Sequence, residues 1–137
     1  MSSDGLITEL LYKTLSFNSR TARCNGRSFS LMIADTTGKK MLGLMHRKGL
    51  KDSQGMLFSF GSEGRHDIWM LNMKFSIDIL WLDKKLRVLK IVRNAEPCRS
   101  LWSCAPYASP SGAVYVIELK AGASKKNSIA KGSRFVL

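Results

Sequence analysis

Acidic residues are scarce in this 137-residue sequence, which has 10 Asp and Glu against 22 Lys and Arg. The formal net charge of +12 is typical of a nucleic-acid binder, because charge alone provides sequence-independent affinity for phosphate. No binding motif accompanies the charge, so a protein that is merely basic explains the composition equally well.

Long hydrophobic runs are also absent, and none approaches the roughly 20 residues that cross a bilayer. Asp4 and Glu9 stand where a secretory signal would carry positive charge. We therefore predict a cytoplasmic protein without a signal peptide or a membrane segment. The fractions of hydrophobic residues, 45%, and charged residues, 23%, are typical of one globular domain with a substantial core.

Cysteine and histidine are rare, with three and two residues. Cys98 and Cys104 flank a Trp-containing loop and are a candidate disulfide, which would leave Cys24 unpaired. In a reducing cytoplasm the same pair would stay as thiols, so both states remain open. The spacing of the loop cysteines is not that of a zinc site, and only His46 and His66 could add ligands. We expect no metal and no cofactor.

Short apolar segments predict strands through most of the chain. Asn25-Gly26 is a strong two-residue hairpin signal between strands at residues 20–24 and 27–34. The nearly continuous apolar run at residues 75–82 predicts a strand that is buried on both faces. Further strands are predicted at residues 56–60, 65–70, 86–92, 113–119 and 133–137.

The remaining elements are a helix and a loop. One short helix is predicted after the cap Asp35-Thr36-Thr37, with its end near residues 46–49. All three prolines fall in residues 94–112, which predicts a long loop. The pattern favours a mainly β (α+β) fold, a single compact antiparallel β-barrel or sandwich-like domain with one short helix. We assign residues 27–137 to this domain and residues 1–26 to an N-terminal extension or an edge element.

Several short motifs stand in a definite order along the chain. They are Gly43-Leu44-Met45-His46-Arg47, Gly55-Met56-Leu57-Phe58, Trp69-Met70-Leu71-Asn72, Asp78-Ile79-Leu80, Asn94-Ala95-Glu96-Pro97-Cys98, Cys104, Tyr107 and Tyr115-Val116-Ile117-Glu118-Leu119-Lys120-Ala121-Gly122. This succession resembles the domain of unknown function 192 family of small bacterial and archaeal proteins, over roughly residues 27–137. The resemblance implies a mostly β single domain in which a short helix carries the Gly-Leu-Met segment. It implies no established reaction.

Arg47, Trp69, Asn72 and Asp78 form the candidate ligand-binding site that the resemblance singles out. Asn72 and Asp78 are also polar groups among residues that belong in a core, where an unpaired amide or carboxylate is costly. Two interpretations remain open. Arg47 and Asp78 form a buried ion pair that fixes the helix on the sheet, or Arg47 holds an anion in a pocket where Asn72 or Asp78 fixes a polar ligand.

We therefore predict a non-enzymatic binding module for a small anionic ligand or a protein partner, with no membrane partner. One alternative is sequence-nonspecific nucleic-acid binding through a basic surface. The other is a small enzyme that uses Asp78 or a loop cysteine, although the chain has no Gly-x-Ser-x-Gly motif. The residues of the nucleic-acid alternative are Lys84, Lys85, Arg87, Lys90, Arg93 and Trp102.

Overall fold

A six-stranded mixed β-sheet forms the frame of the protein in a computed structural model that describes residues 3–137. Its strands are β1 (Ser19–Cys24), β2 (Arg27–Ala34), β3 (Gln54–Gly64), β4 (Ile77–Leu82), β5 (Val88–Ala95) and β6 (Ala113–Lys120). Their spatial order is β1-β2-β3-β6-β4-β5. β2 and β3 are parallel, and the other neighbours are antiparallel. The predicted mainly β class is confirmed, but the sheet is mixed and not wholly antiparallel.

Short helices accompany the sheet, and the described chain has more of them than the one predicted. They are α1 (Ser3–Thr14), α2 (Thr37–Leu42), α3 (Ala123–Lys126) and a 3-10 turn (Leu101–Ser103). No described helix is both long and apolar enough to cross a membrane. The predicted helix is α2, and Thr36 caps it, because the Thr36 hydroxyl accepts the Lys39 N–H at 3.2 Å.

α2 ends at Leu42, earlier than predicted, because Gly43 has a φ of +50° that cannot continue a helix. A side chain at position 43 would also come within 3.0 Å of the Phe58 ring.

The hairpin between β1 and β2 turns at Asn25 and Gly26, which both have positive φ, as the Asn-Gly signal predicts. β1 is thus an edge strand, and its Ala22 and Cys24 are buried. The strand predicted at residues 65–70 is wrong. β3 continues beyond its predicted end at residue 60 to Gly64, and the following segment forms a single bridge, between Ile68 and Tyr107.

The two edge strands, β1 and β5, do not pair with each other in the described chain. Residues 134–136 lie between the two edges at one end of the sheet. Arg23 and Val136 exchange backbone hydrogen bonds of 2.8 and 2.9 Å, and the Phe135 N–H donates to the Leu86 carbonyl at 2.9 Å. The sheet is therefore not closed, and the word barrel describes the predicted fold only loosely, because this irregular segment takes the place of direct pairing between the edges.

Buried side chains pack on both faces of the sheet, because successive residues of a strand point to opposite sides. One core contains Phe29, Leu31, Leu57, Leu80, Ile117 and Phe135 among its members. The other contains Met32, Met56, Phe58, Ile79, Trp81 and Val116. With both faces covered, every residue of β4 is buried, as its apolar run predicts. Asp78 and Glu118 are acids that are buried within these strands, so each of them requires a structural or functional explanation.

Candidate functional site

A cavity of about 460 Å³ lies between the first two helices and one face of the sheet, and we call it the helix pocket. The segments that line it are α1, the end of α2 with the residues that follow, β3, the connection from β3 to β4, and one position of β6. Most of its lining side chains are aliphatic or aromatic. Among the described residues, the charged members are Lys40, Asp67 and Glu118.

Stacked rings form one wall of the helix pocket. The rings of Phe58 and Phe60 are nearly parallel, with centroids 6.4 Å apart, and the imidazole of His66 stacks on Phe60 at 4.0 Å. The Lys40 ammonium lies over the Phe60 ring, 5.1 Å from its centroid. The wall therefore already presents an aromatic face that a cation occupies.

The bend at Asn72 joins the segments on either side of the pocket. Asn72 has a φ of +60°, and its carbonyl accepts the His46 N–H at 3.1 Å. Its side-chain amide lies 4.0 Å from the Met45 sulfur. The His46 Nε2 lies 2.8 Å from the Thr8 hydroxyl, and this contact ties α1 to the residues around the Asn72 bend. Asn72 is thus a pocket residue whose backbone also holds the wall together.

Trp69 connects the pocket to the long loop. Its side chain is 40% exposed and lines the pocket, and its indole N–H donates to the Cys104 carbonyl at 2.6 Å. Cys98 and Cys104 form a disulfide with Cα atoms 5.1 Å apart, within the range that permits a bridge. Cys24 is a buried free thiol, and burial raises its pKa. The disulfide and the indole together fix this edge of the pocket.

Glu118 is the residue that the sequence reasoning missed. It lies on β6 between Met56 of β3 and Ile79 of β4, its side chain is only 4% exposed, and it lines the pocket. Among the described residues no hydrogen bond reaches its carboxylate, and burial is the one influence on its pKa. Burial raises the pKa of Glu118 to about 8. The sequence contains one signal for this site, because Glu118 is the single acid within the largely apolar strand Ala113–Lys120.

Asp78 is buried completely and has its partners within the chain. Its carboxylate accepts the N–H groups of Asn94 at 3.0 Å, Gly122 at 3.3 Å and Ser124 at 2.9 Å. The Ser124 hydroxyl donates a fourth hydrogen bond at 2.7 Å. This network ties β4 to the end of β5 and to the start of α3, so Asp78 supports the fold at a place outside the pocket lining.

Arg47 does not pair with Asp78, so the predicted buried ion pair is wrong. Its guanidinium lies over the Phe17 ring, 5.6 Å from the centroid, and its Nε is buried without a hydrogen-bond partner among the described residues. Hydrogen-bond donors from the backbone satisfy Asp78 instead. Of the four predicted site residues, the pocket brings together Trp69 and Asn72 but not Arg47 and Asp78.

The residues of the nucleic-acid alternative separate into two groups. Lys84, Lys85 and Arg87 are exposed in the β4–β5 turn, whereas Lys90 donates to the Ala108 carbonyl at 2.6 Å. Arg93 donates to Ser124 and Ile129, and Trp102 is 96% exposed in the disulfide loop, beyond the other end of β5.

The exposed turn also meets the C-terminal segment. Arg134 forms an isolated antiparallel β-bridge with Arg87, and its side-chain Nε–H donates to the Lys85 carbonyl at 3.2 Å. We call the resulting surface the basic face, and it consists of Lys84, Lys85, Arg87, Lys131 and Arg134. Within residues 3–137, no cluster of three or more His, Cys, Asp or Glu side chains could hold a metal ion.

Comparisons with known proteins give a family and a fold. The model of the DUF192 family, described as Uncharacterized ACR, matches residues 20–137. No curated protein matches the chain. A crystal structure of a protein of unknown function from Novosphingobium aromaticivorans is 23% identical, with a TM-score of 0.81, over 90% of this chain and 89% of that chain. A "putative transcription regulator" from Sinorhizobium meliloti is 29% identical, with a TM-score of 0.79, over 89% of this chain and 95% of that chain.

Proposed function

The chain belongs to the DUF192 family, which is described only as uncharacterised, and we propose that it is a binding module for a small molecule with an apolar body, held in the helix pocket. The observation that carries this proposal is the cavity of about 460 Å³ with its mostly apolar lining. Small-molecule sites are typically clefts of roughly 300–1,000 Å³ in which a few polar groups converge among apolar side chains.

The walls of the helix pocket are held in place before any ligand arrives. The Asn72–His46 hydrogen bond, the His46–Thr8 contact and the Trp69–Cys104 hydrogen bond join its segments. A site that is ordered in advance loses little conformational entropy on binding. Ile7 and Met41 line the pocket and are about half exposed, so apolar surface also surrounds its mouth.

The prediction of an anionic ligand depended on Arg47, which is absent from the pocket lining. The proposal therefore concerns the apolar body of the ligand and does not include a negative charge. The enzyme alternative also has little support, because Asp78 accepts four hydrogen bonds within the chain and the loop cysteines are bonded to each other.

Ligand-observed NMR with tert-butylbenzene, a neutral apolar probe, tests the proposal. Met41→Trp places a large ring at the mouth of the pocket and is expected to weaken binding by about tenfold or more. Leu10→Trp is the matched control, because Leu10 is 57% exposed on α1 but does not line the pocket. An absence of binding to the unsubstituted protein, or equal binding by Met41→Trp, would refute the proposal.

Sequence-nonspecific nucleic-acid binding is the second candidate function. The basic face supports it, because five exposed cations lie together on a protein with a net charge of +12. The name of the Sinorhizobium meliloti protein points in the same direction for that protein. The measurement that separates this candidate from the first is the dependence of oligonucleotide affinity on salt.

A further inference from the structure

We propose that the helix pocket selects an organic cation, a small molecule whose apolar body carries an ammonium head that pairs with the Glu118 carboxylate. The inference rests on the proposed small-molecule function and adds the chemical class of the ligand. Three features of the site support this choice of ligand. They are a buried carboxylate without a donor among the described residues, an aromatic wall and a local excess of acid.

The first feature is the contrast between the two buried acids of the sheet. Asp78 accepts four hydrogen bonds from the chain, whereas no described residue donates one to Glu118, which experiences burial alone. A buried carboxylate without donors is costly, so the fold leaves one such group open only at the surface of the cavity. The missing donor for Glu118 would come from the ligand.

The second feature is the set of rings around the same cavity. Phe58, Phe60 and Trp69 line the pocket, and the face of an aromatic ring attracts a cation electrostatically. Lys40 illustrates the attraction, since its ammonium lies 5.1 Å from the Phe60 centroid. Aromatic rings beside a carboxylate are the combination that suits a substituted ammonium group, which has an apolar surface and a positive charge.

The third feature is the set of charged groups in the lining of the pocket. Lys40 from α2 and Asp67 from the β3–β4 connection are the other charged lining residues among those the structure describes. Met56 and Ile79, the strand neighbours of Glu118, are apolar. Two histidines contact lining residues from outside the lining. His46 lies within hydrogen-bond distance of Thr8, and the His66 ring stacks on Phe60.

The described lining of the pocket therefore contains two carboxyl groups and one ammonium, although the whole chain carries a charge of +12. Once Glu118 has lost its proton, a ligand anion would be desolvated beside two carboxylates, whereas a ligand cation would gain a partner. This local excess of acid distinguishes the site from the surrounding basic surface.

Binding of a cation would be linked to release of a proton. Because burial raises the pKa of Glu118 to about 8, the empty site holds a proton at neutral pH. The carboxyl group must lose this proton to pair with a cation. The affinity for a permanent cation should therefore rise about tenfold per pH unit up to about pH 8 and then level off.

The test compares phenyltrimethylammonium with tert-butylbenzene, which has the same shape but no charge. Affinities are measured by ligand-observed NMR from about pH 6 to about pH 9, on either side of the Glu118 pKa. Preference for the cation is expected to grow about tenfold per pH unit below pH 8 in the unsubstituted protein. Glu118→Gln should bind both probes without this pH dependence, and Glu63→Gln, an exposed control, should behave like the unsubstituted protein.

Each outcome decides a separate question. If the neutral probe binds but the cation binds no better at high pH, the cation inference is wrong and the small-molecule function stands. Retention of the pH-dependent preference in Glu118→Gln would also overturn the inference. If neither probe binds the unsubstituted protein, the small-molecule function fails, and the inference fails with it. The pH profile of the unsubstituted protein decides the matter even if Glu118→Gln folds poorly.

Discussion

Glu118→Gln is expected to remove a large pH dependence from the stability of the protein. The pKa of Glu118 is about 8 in the folded protein, against an ordinary value of 4.5. The folded state therefore keeps a proton over a range in which the unfolded chain has lost it. This contribution to stability is fully present below about pH 4.5 and is lost as the pH rises to about 8.

The magnitude follows from the width of that range. Within it, one proton separates the two states, so the free energy of unfolding should fall by about 1.4 kcal/mol per pH unit. Between pH 5 and pH 7.5 the loss is roughly 3 kcal/mol. Small domains unfold with only about 5–15 kcal/mol, so a change of this size is easily measured.

Urea denaturation of the unsubstituted protein, Glu118→Gln and the exposed control Glu63→Gln provides the assay. The quantity of interest is the difference in unfolding free energy between variant and unsubstituted protein at each pH, because other titrating groups cancel in it. This difference should change by roughly 3 kcal/mol for Glu118→Gln and remain constant for Glu63→Gln. A constant difference for both variants would show that Glu118 ionises as it does in water, and the reasoning from burial would be refuted.

Three further expectations concern other parts of the chain. Asp78→Ala leaves buried donors unpaired and should lower the free energy of unfolding by about 1–3 kcal/mol in thermal or urea denaturation; an unchanged midpoint would contradict its role in the network. Replacing Cys98 and Cys104 by Ser opens a loop of sequence separation 6, which should cost about 2 kcal/mol and speed tryptic cleavage after Arg99, as mass spectrometry can quantify. Equal cleavage rates would show that the bridge does not order the loop. Oligonucleotide binding should be weak and vanish near physiological salt, and the logarithm of the affinity should fall against the logarithm of the salt concentration with a slope near −0.7 per phosphate on single strands. Sub-micromolar binding at that salt, if it is lost when the β4–β5 turn is neutralised, would favour the nucleic-acid function.

Local signals in the sequence account for much of the fold. Asn25-Gly26 requires positive φ at two consecutive residues, and that requirement alone determines the β1–β2 turn. The apolar run of β4 was equally local, and the prediction of a strand buried on both faces is confirmed. The helix end at Gly43 was missed, because the sequence displays neither the positive φ of that glycine nor the Phe58 ring beside it, which comes from fifteen positions further along the chain.

The candidate site was less predictable, because it is assembled from distant segments. The pocket joins Thr8 of α1 to Asn72 and to Glu118, and no periodicity in the sequence brings these residues together. Arg47 and Asp78 were expected to meet, since both are polar residues near the core, but the donors to Asp78 are backbone groups that the amino-acid sequence does not display. The identity of a buried acid can be read from the sequence, whereas its hydrogen-bond partners cannot.

The position of residues 134–136 has a consequence for aggregation. A sheet edge with free N–H and C=O groups is a template for pairing with another chain. Val136 occupies such groups at Arg23 on one edge, and Phe135 occupies the Leu86 carbonyl just before the other edge. Until this segment is in place, both edges are open together at that end of the sheet. Removing these few residues should therefore promote intermolecular sheet formation during refolding more than the loss of their own contacts would suggest.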